Sequence, residues 1–173
     1  MTLPEPRTPG PYRVAVVCLG NICRSPMAHV VLEDLVDRAG LADRVEVVSA
    51  GTGGWHVGAP MDRRAAAVLT THGYDASRHR ARKFGRSWIE DCDLVLAMDA
   101  SNHSDILEHA HDPDEWDRVR MFRDFDPRAS DADRDVPDPY YGHDDGFDEV
   151  LAMVRRSAQG LVAELQALLG ERD

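Results

Sequence analysis

Cysteine is scarce in this chain: the 173 residues hold three, Cys18, Cys23 and Cys92, too few and too unevenly spaced for a disulfide framework. That excludes a secreted, disulfide-stapled scaffold and leaves the thiols as reactive or packed groups in a reducing compartment. C-x-x-C pairs are missing, and none of the eight histidines falls in H-E-x-x-H or alternates with cysteine at ligand spacing, so no metal is expected. Long apolar runs are missing too, since the early stretch from Val14 to Leu19 is far too short to span a bilayer. Positive charge is outweighed. With 20 basic and 31 acidic side chains, a formal net charge of -11 and an isoelectric point near 5.1, the chain has no basic stripe for nucleic acid and opposes anionic lipid. Neither nucleic acid nor a membrane is expected as a partner. The first eleven residues carry four prolines and lack the basic start and apolar stretch of a signal peptide, which predicts a disordered arm on a cytoplasmic protein.

What is present points to one globular domain over residues 12–173, with 43% hydrophobic and 29% charged residues. Tyr12 to Cys18 has the apolar character of a strand buried on both faces. After a polar loop, Ser25 and Pro26 read as an N-cap and a first helical proline, and Met27, Val31 and Leu35 make the helix's apolar stripe up to Gly40. Val45 to Ser49, Leu94 to Met98 and Val119 to Phe122 read as further strands, with helices at Asp62 to His72, Ser101 to Ala110 and Phe147 to Leu169 between or after them. The alternation predicts an α/β fold, an open twisted parallel sheet of about four strands with helices on both faces. Between Arg123 and Asp145 lies an Asp- and Pro-rich loop of a length that is usually functional or disordered.

The chemistry concentrates in Cys18-Leu19-Gly20-Asn21-Ile22-Cys23-Arg24-Ser25-Pro26, which runs from the first strand into a helix N-terminus, where open α/β sheets bind ligands. Backbone N–H groups of such a loop and the helix dipole together hold an oxyanion such as phosphate, and Gly20 and Asn21 suit left-handed turn geometry. A thiol at a helix N-terminus beside a guanidinium ionises more readily than a free one, which makes Cys18 a candidate nucleophile. Arg24 offers a planar fork for two phosphate oxygens. The phosphate loop of nucleotide hydrolases is disfavoured, because the chain has neither its lysine nor its glycine spacing here.

The segment from Val17 to Ala28 closely resembles the active-site loop of the low-molecular-weight protein tyrosine phosphatases. The likeness continues through Ser49-Ala50-Gly51-Thr52, Trp55, His72-Gly73, Asp91 to Asp99, Ser101-Asn102 and Asp138-Pro139-Tyr140-Tyr141-Gly142, and spans Tyr12 to Leu169. The resemblance implies a phosphatase that hydrolyses phosphotyrosine and small aryl phosphates through a phosphocysteine on Cys18. In it Arg24 grips the phosphoryl group, Ser25 bonds the thiolate, and Asp138 acts as general acid and then base. The Asp-Pro-Tyr-Tyr-Gly string, not composition, selects Asp138 from Asp131, Asp133 and Asp135. The resemblance further implies that Leu19, Gly20, Ile22 and Cys23 complete the phosphate-binding loop, and that Asn21 supports it by bonding Ser49 and His79. Trp55, His56, Tyr140 and Tyr141 are expected to line a slot for a phenyl ring, Leu19 joining its wall. Cys23 is expected to be able to trap an oxidised Cys18 as a disulfide. The family implies no cofactor, a monomer, tyrosine-phosphorylated proteins as substrates, and inorganic phosphate or other oxyanions as product or inhibitor. The rival readings are a thiol-linked arsenate reductase, for which the middle region has only Cys92; a phosphotyrosine-binding module without turnover; and a phosphocysteine carrier.

Overall fold

A computed structural model describes residues 2–140, 142 and 145–170. Four strands, β1 (Tyr12–Cys18), β2 (Val45–Gly51), β3 (Leu94–Ala97) and β4 (Val119–Met121), form a parallel sheet in the order β2-β1-β3-β4. Among the described residues six helices accompany them: α1 (Arg24–Arg38), α2 (Arg63–Thr71), α3 (Arg86–Asp91), α4 (Ala100–Leu107), α5 (Pro113–Asp117) and α6 (Asp145–Gly170). The expected α/β sheet is there, covered on both faces.

Side-chain alternation divides β1 between the two layers. Val14, Val16 and Cys18 face the core shared with α1 and α6, while Ala15 and Val17 face the one shared with α3 and α4. In α6, Phe147, Val150, Val154, Ala158, Leu161 and Leu165 are fully buried at spacings of three and four. Each of the Phe, Val and Leu side chains contributes roughly 1.5–3 kcal/mol by leaving water. The helix also makes one backbone contact that the hydrophobic pattern does not reveal. Gly160 lies against the 3₁₀ turn Phe122–Phe125, and a Cβ there would stand 2.0 Å from the Phe125 carbonyl oxygen. Helix propensity favours Gly160→Ala by about 0.5–1 kcal/mol, but the clash outweighs it. The variant is expected to melt roughly 5 °C or more below the parent, read by thermal unfolding; an unchanged Tm would show that the helix simply lifts off the turn.

The chain enters the sheet at β1, moves outward to β2, then returns past β1 to β3. This reversal opens a crevice at the carboxyl ends of β1 and β3, the place where such sheets take ligands. Helix α1 starts at Arg24, ahead of the expected cap, and Ser25 makes no capping bond because its hydroxyl is turned toward Cys18. Helices α3 and α5 have no counterpart in the sequence reading. They are six and five residues long, too short to show a helical period, and α5 is started by the Asp112 side-chain cap with Pro113 behind it.

The expected disordered arm is a correction. Residues 2–11 have no regular structure, yet they lie against the body of the domain. Leu3 is buried, Tyr12 Oη donates to the Pro4 carbonyl at 2.9 Å, and the Arg7 N–H donates to Asp93 at 2.8 Å. Arg118 and Arg120 donate to the Glu5 and Thr2 carbonyls at 2.9 and 3.0 Å. Proline content hides this because the partners come from positions 93, 118 and 120, far away in sequence. Among the described residues no helix is long and apolar enough to cross a membrane.

Candidate active site

Strand β1 delivers Cys18 to the crevice, where it is 2% exposed. The loop beyond it bends back toward the sulfur, and the Asn21 N–H points at Cys18 Sγ from 3.3 Å. Two backbone features allow that bend. Asn21 adopts a left-handed φ of 56°, which a short polar side chain tolerates. Gly51 at the end of β2 leaves the room, since a Cβ there would come within 2.8 Å of the Leu19 carbonyl oxygen and 3.0 Å of the Asn21 nitrogen.

A chain of side-chain bonds then orients the sulfur's neighbour. The Arg82 N–H donates to Asn21 Oδ1 at 2.9 Å, so the amide's NH₂ faces Ser25 and donates to its Oγ at 2.7 Å. With that acceptor position used, the Ser25 hydroxyl donates its proton, with Cys18 Sγ at 3.0 Å the nearer acceptor and the Ala50 carbonyl at 3.4 Å the farther one. His79 Nε2 stands 2.8 Å from the Asn21 carbonyl, which only accepts, so the ring carries its proton on Nε2. Burial, more than any neighbour, holds the His79 pKa below the usual imidazole value.

Arg24 forms the opposite wall. Its guanidinium, 2% exposed, donates to Asp99 Oδ2 at 2.6 Å and to the Val136 carbonyl at 3.0 Å, and stands 3.6 Å from Asp138 Oδ2. Burial works against its charge, but Cys18, Asp99 and Asp138 outweigh that and raise its pKa. Cys18, Leu19, Gly20, Ile22, Cys23, Arg24, Trp55, His56, Asp138 and Tyr140 enclose a cavity of about 290 Å³. Trp55 is 73% exposed at its mouth. A larger groove, about 790 Å³, runs between α1, β2 and residues 73–79; it shares only His79 with the site's supporting residues and contains no nucleophilic thiol.

The profile of the family described as low molecular weight phosphotyrosine protein phosphatase matches residues 13–169. The chain belongs to that family. It is 48% identical over 155 residues, 90% of its length and 94% of the relative's, to a low molecular weight protein-tyrosine-phosphatase of Streptomyces coelicolor. Crystal structures agree. YfkJ from Bacillus subtilis superposes with a TM-score of 0.83 at 34% identity, covering 91% of this chain and 96% of that one. The tyrosine phosphatase Wzb from Escherichia coli K30, in complex with sulphate, gives 0.75 at 27% identity over 88% and 97% of the two chains. The protein is therefore a cysteine-dependent protein tyrosine phosphatase.

Within this phosphatase the structure brings together Cys18, the loop residues Leu19 to Ser25, Asp138, Trp55, His56 and Tyr140. Tyr141 lies outside the described residues. Ser49 is a correction: its hydroxyl pairs with His29 Nδ1 at 3.0 Å, and Asn21 uses Ser25 and Arg82 instead. The register explains it, because Ser49 sits beside Val16, whereas Asn21 lies beyond the end of β1. Cys23 and Cys92 are buried thiols; burial drives Cys23 strongly upward, with Asp62 and Cys18 adding to it, and pushes Cys92 up to about 12. Asp99 and Gly51 carry no role legible in the sequence, although both lie in stretches that resemble the family. The support from Arg82 is equally hidden there, because its contribution is a backbone N–H and leaves no residue-type signal. Arg64, hidden as well, donates to the Tyr140 carbonyl at 2.9 Å and covers its ring at 5.6 Å, fixing one wall of the slot.

Proposed function

We propose that Cys18 is the nucleophile, Arg24 the phosphoryl-binding group and Asp138 the general acid and base, acting on phosphotyrosine in proteins. The observation that carries the reading is the facing of Cys18, with Ser25 at 3.0 Å and the Asn21 N–H at 3.3 Å, and the Arg24–Asp138 pair across one small cavity.

In the first step the Cys18 thiolate attacks phosphorus and a sulfur–phosphorus bond forms as the phosphorus–oxygen bond to the aryl group breaks. The Asp138 carboxyl gives its proton to the departing phenol oxygen. Arg24 and the loop N–H groups bind the three remaining phosphoryl oxygens, whose charge the guanidinium fork and helix N-terminus match. Ser25 steadies the sulfur as nucleophile and later as leaving group. In the second step Asp138, now a carboxylate, takes a proton from water as it attacks phosphorus; the sulfur–phosphorus bond breaks, releasing inorganic phosphate and restoring the thiolate. Because Arg24 supplies the charge at phosphorus, the reaction needs no added cofactor. The buried sulfur at the base of a slot walled by Trp55 and Tyr140 supports selectivity for an aryl ester, whose reach exceeds that of phosphoserine. Three free thiols support action in the reducing cytoplasm.

The test is phosphate release from a tyrosine-phosphorylated peptide and from its phosphoserine counterpart, with EDTA present and sulfate added in increasing amounts. Expected are turnover of the phosphotyrosine peptide only, full activity in EDTA and competitive inhibition by sulfate. Capture of the peptide without phosphate release would instead make the site a binding module, and equal turnover of both peptides would remove the slot argument.

A further inference from the structure

The loop that carries Asp138 is anchored by a second buried guanidinium. We propose that Arg123, through Asp133 and the Asp135 backbone, is a positioning residue that sets the reach of the Asp138 carboxyl into the cavity. The proposal rests on the reading of Asp138 as general acid.

Arg123 is 1% exposed, although it belongs to the 3₁₀ turn at the root of a polar loop. Its Nε donates to Asp126 at 3.1 Å, and its Nη1 donates both to the Asp133 carboxylate at 2.7 Å and to the Asp135 carbonyl at 3.0 Å. Asp126 is held in turn by Arg156 of α6 at 3.0 and 3.2 Å. The ties converge immediately before the acid. The Asp135 carboxylate accepts the Ala100 N–H at 3.1 Å, while Val136, fully buried, donates to the Met98 carbonyl at 2.7 Å and accepts from Arg24 at 3.0 Å.

Asp138 follows two residues later, between Pro137 and Pro139, and has few contacts of its own. One carboxylate oxygen accepts from the Tyr140 N–H at 3.0 Å and the other stands 3.6 Å from Arg24. Its place is therefore inherited from the 135–136 anchor, and Pro137, with a fixed φ and a restricted predecessor, passes on any displacement with little slack. Burying a guanidinium is a poor route to stability, since well-packed apolar side chains of similar volume usually do as well or better. What Arg123 provides that an apolar residue does not is a directed grip on a carbonyl three residues from the acid. A displacement of about 1 Å in a reacting group costs up to roughly 10²-fold in rate.

The test compares kcat/KM on phenyl phosphate and 4-nitrophenyl phosphate, as a function of pH, for the full-length wild type and for Arg123→Met, Asp133→Asn and Asp138→Asn. Phenol is the poorer leaving group and needs the proton more, so a misplaced acid shows as a larger loss on phenyl phosphate and a flattened alkaline limb. A merely structural role lowers both substrates equally. Asp133 has a side chain 64% exposed, so its asparagine variant keeps the test valid should Arg123→Met fail to fold. Expected is an extra loss on phenyl phosphate of roughly tenfold for Arg123→Met and about threefold for Asp133→Asn, in the direction set by Asp138→Asn. Equal losses on the two substrates in the folded variants, with the bias present in Asp138→Asn, would overturn the positioning role. No bias in Asp138→Asn would overturn the general-acid reading itself.

Discussion

Cys18→Ser is expected to leave a folded protein that binds sulfate as the parent does and releases 4-nitrophenol at less than about 10⁻⁴ of the parent rate, a loss of more than about 5 kcal/mol of transition-state stabilisation. The hydroxyl fits the space and keeps the donors aimed at it: Ser25 at 3.0 Å and the Asn21 N–H at 3.3 Å have an oxygen to bond in place of sulfur. What is lost is the proposed nucleophile, because a serine hydroxyl does not ionise near neutral pH without a base beside it, and among the described residues the hydroxyl's neighbours here are donors. The measurement pairs steady-state rates on 4-nitrophenyl phosphate with the sulfate-dependent rise in melting temperature. Residual turnover above about one per cent, with the sulfate response intact, would mean that another group attacks phosphorus.

Arg24→Lys carries the second large effect. Lysine keeps a positive charge but replaces a planar fork by a single nitrogen, so once it bonds Asp99 and the Val136 carbonyl, as Arg24 Nη1 does at 2.6 and 3.0 Å, it presents only one N–H to phosphate where the guanidinium still presents Nε and Nη2. Removing one preorganised donor from a developing charge costs about 10²–10³ in rate, and here the loop bearing Asp138 also loses one of its ties, the bond from Arg24 to the Val136 carbonyl. A fall in kcat/KM of roughly 10³ to 10⁴ is expected, together with weaker inhibition by phosphate. Retention of activity within tenfold would show that charge alone suffices and that the fork is dispensable.

Asp99 links these two variants to the fold. It stands just beyond β3, and it reaches Arg24 because the sheet order places β3 beside β1 across the crevice. A carboxylate there both orients the guanidinium and stabilises its charge.

The strand-loop-helix that holds Cys18, Asn21, Arg24 and Ser25 was readable in sequence because its chemistry is local: eight residues contain the nucleophile, the turn, the guanidinium and the helix start. The four strands and the long amphipathic helix were readable for a related reason, since periodicity in burial is imposed along a single segment. Short-range pattern failed where it carried no signal, as in α3 and α5, and where the partner was distant, as with the arm on Asp93 and Arg118. It also misassigned Ser49, because a resemblance gives residue types whereas the register of β1 against β2 decides which side chains meet. By itself the sequence determined the layer architecture, the charge class of the ligand and the groups proposed here to react. Only the tertiary structure decided that Gly51 makes room for the loop, that Asp99 and the Val136 carbonyl hold Arg24, and that Arg123 grips the chain leading to Asp138. Those contacts join backbone and side chains 10 to more than 100 residues apart, so they exist only once the sheet order has brought their segments together.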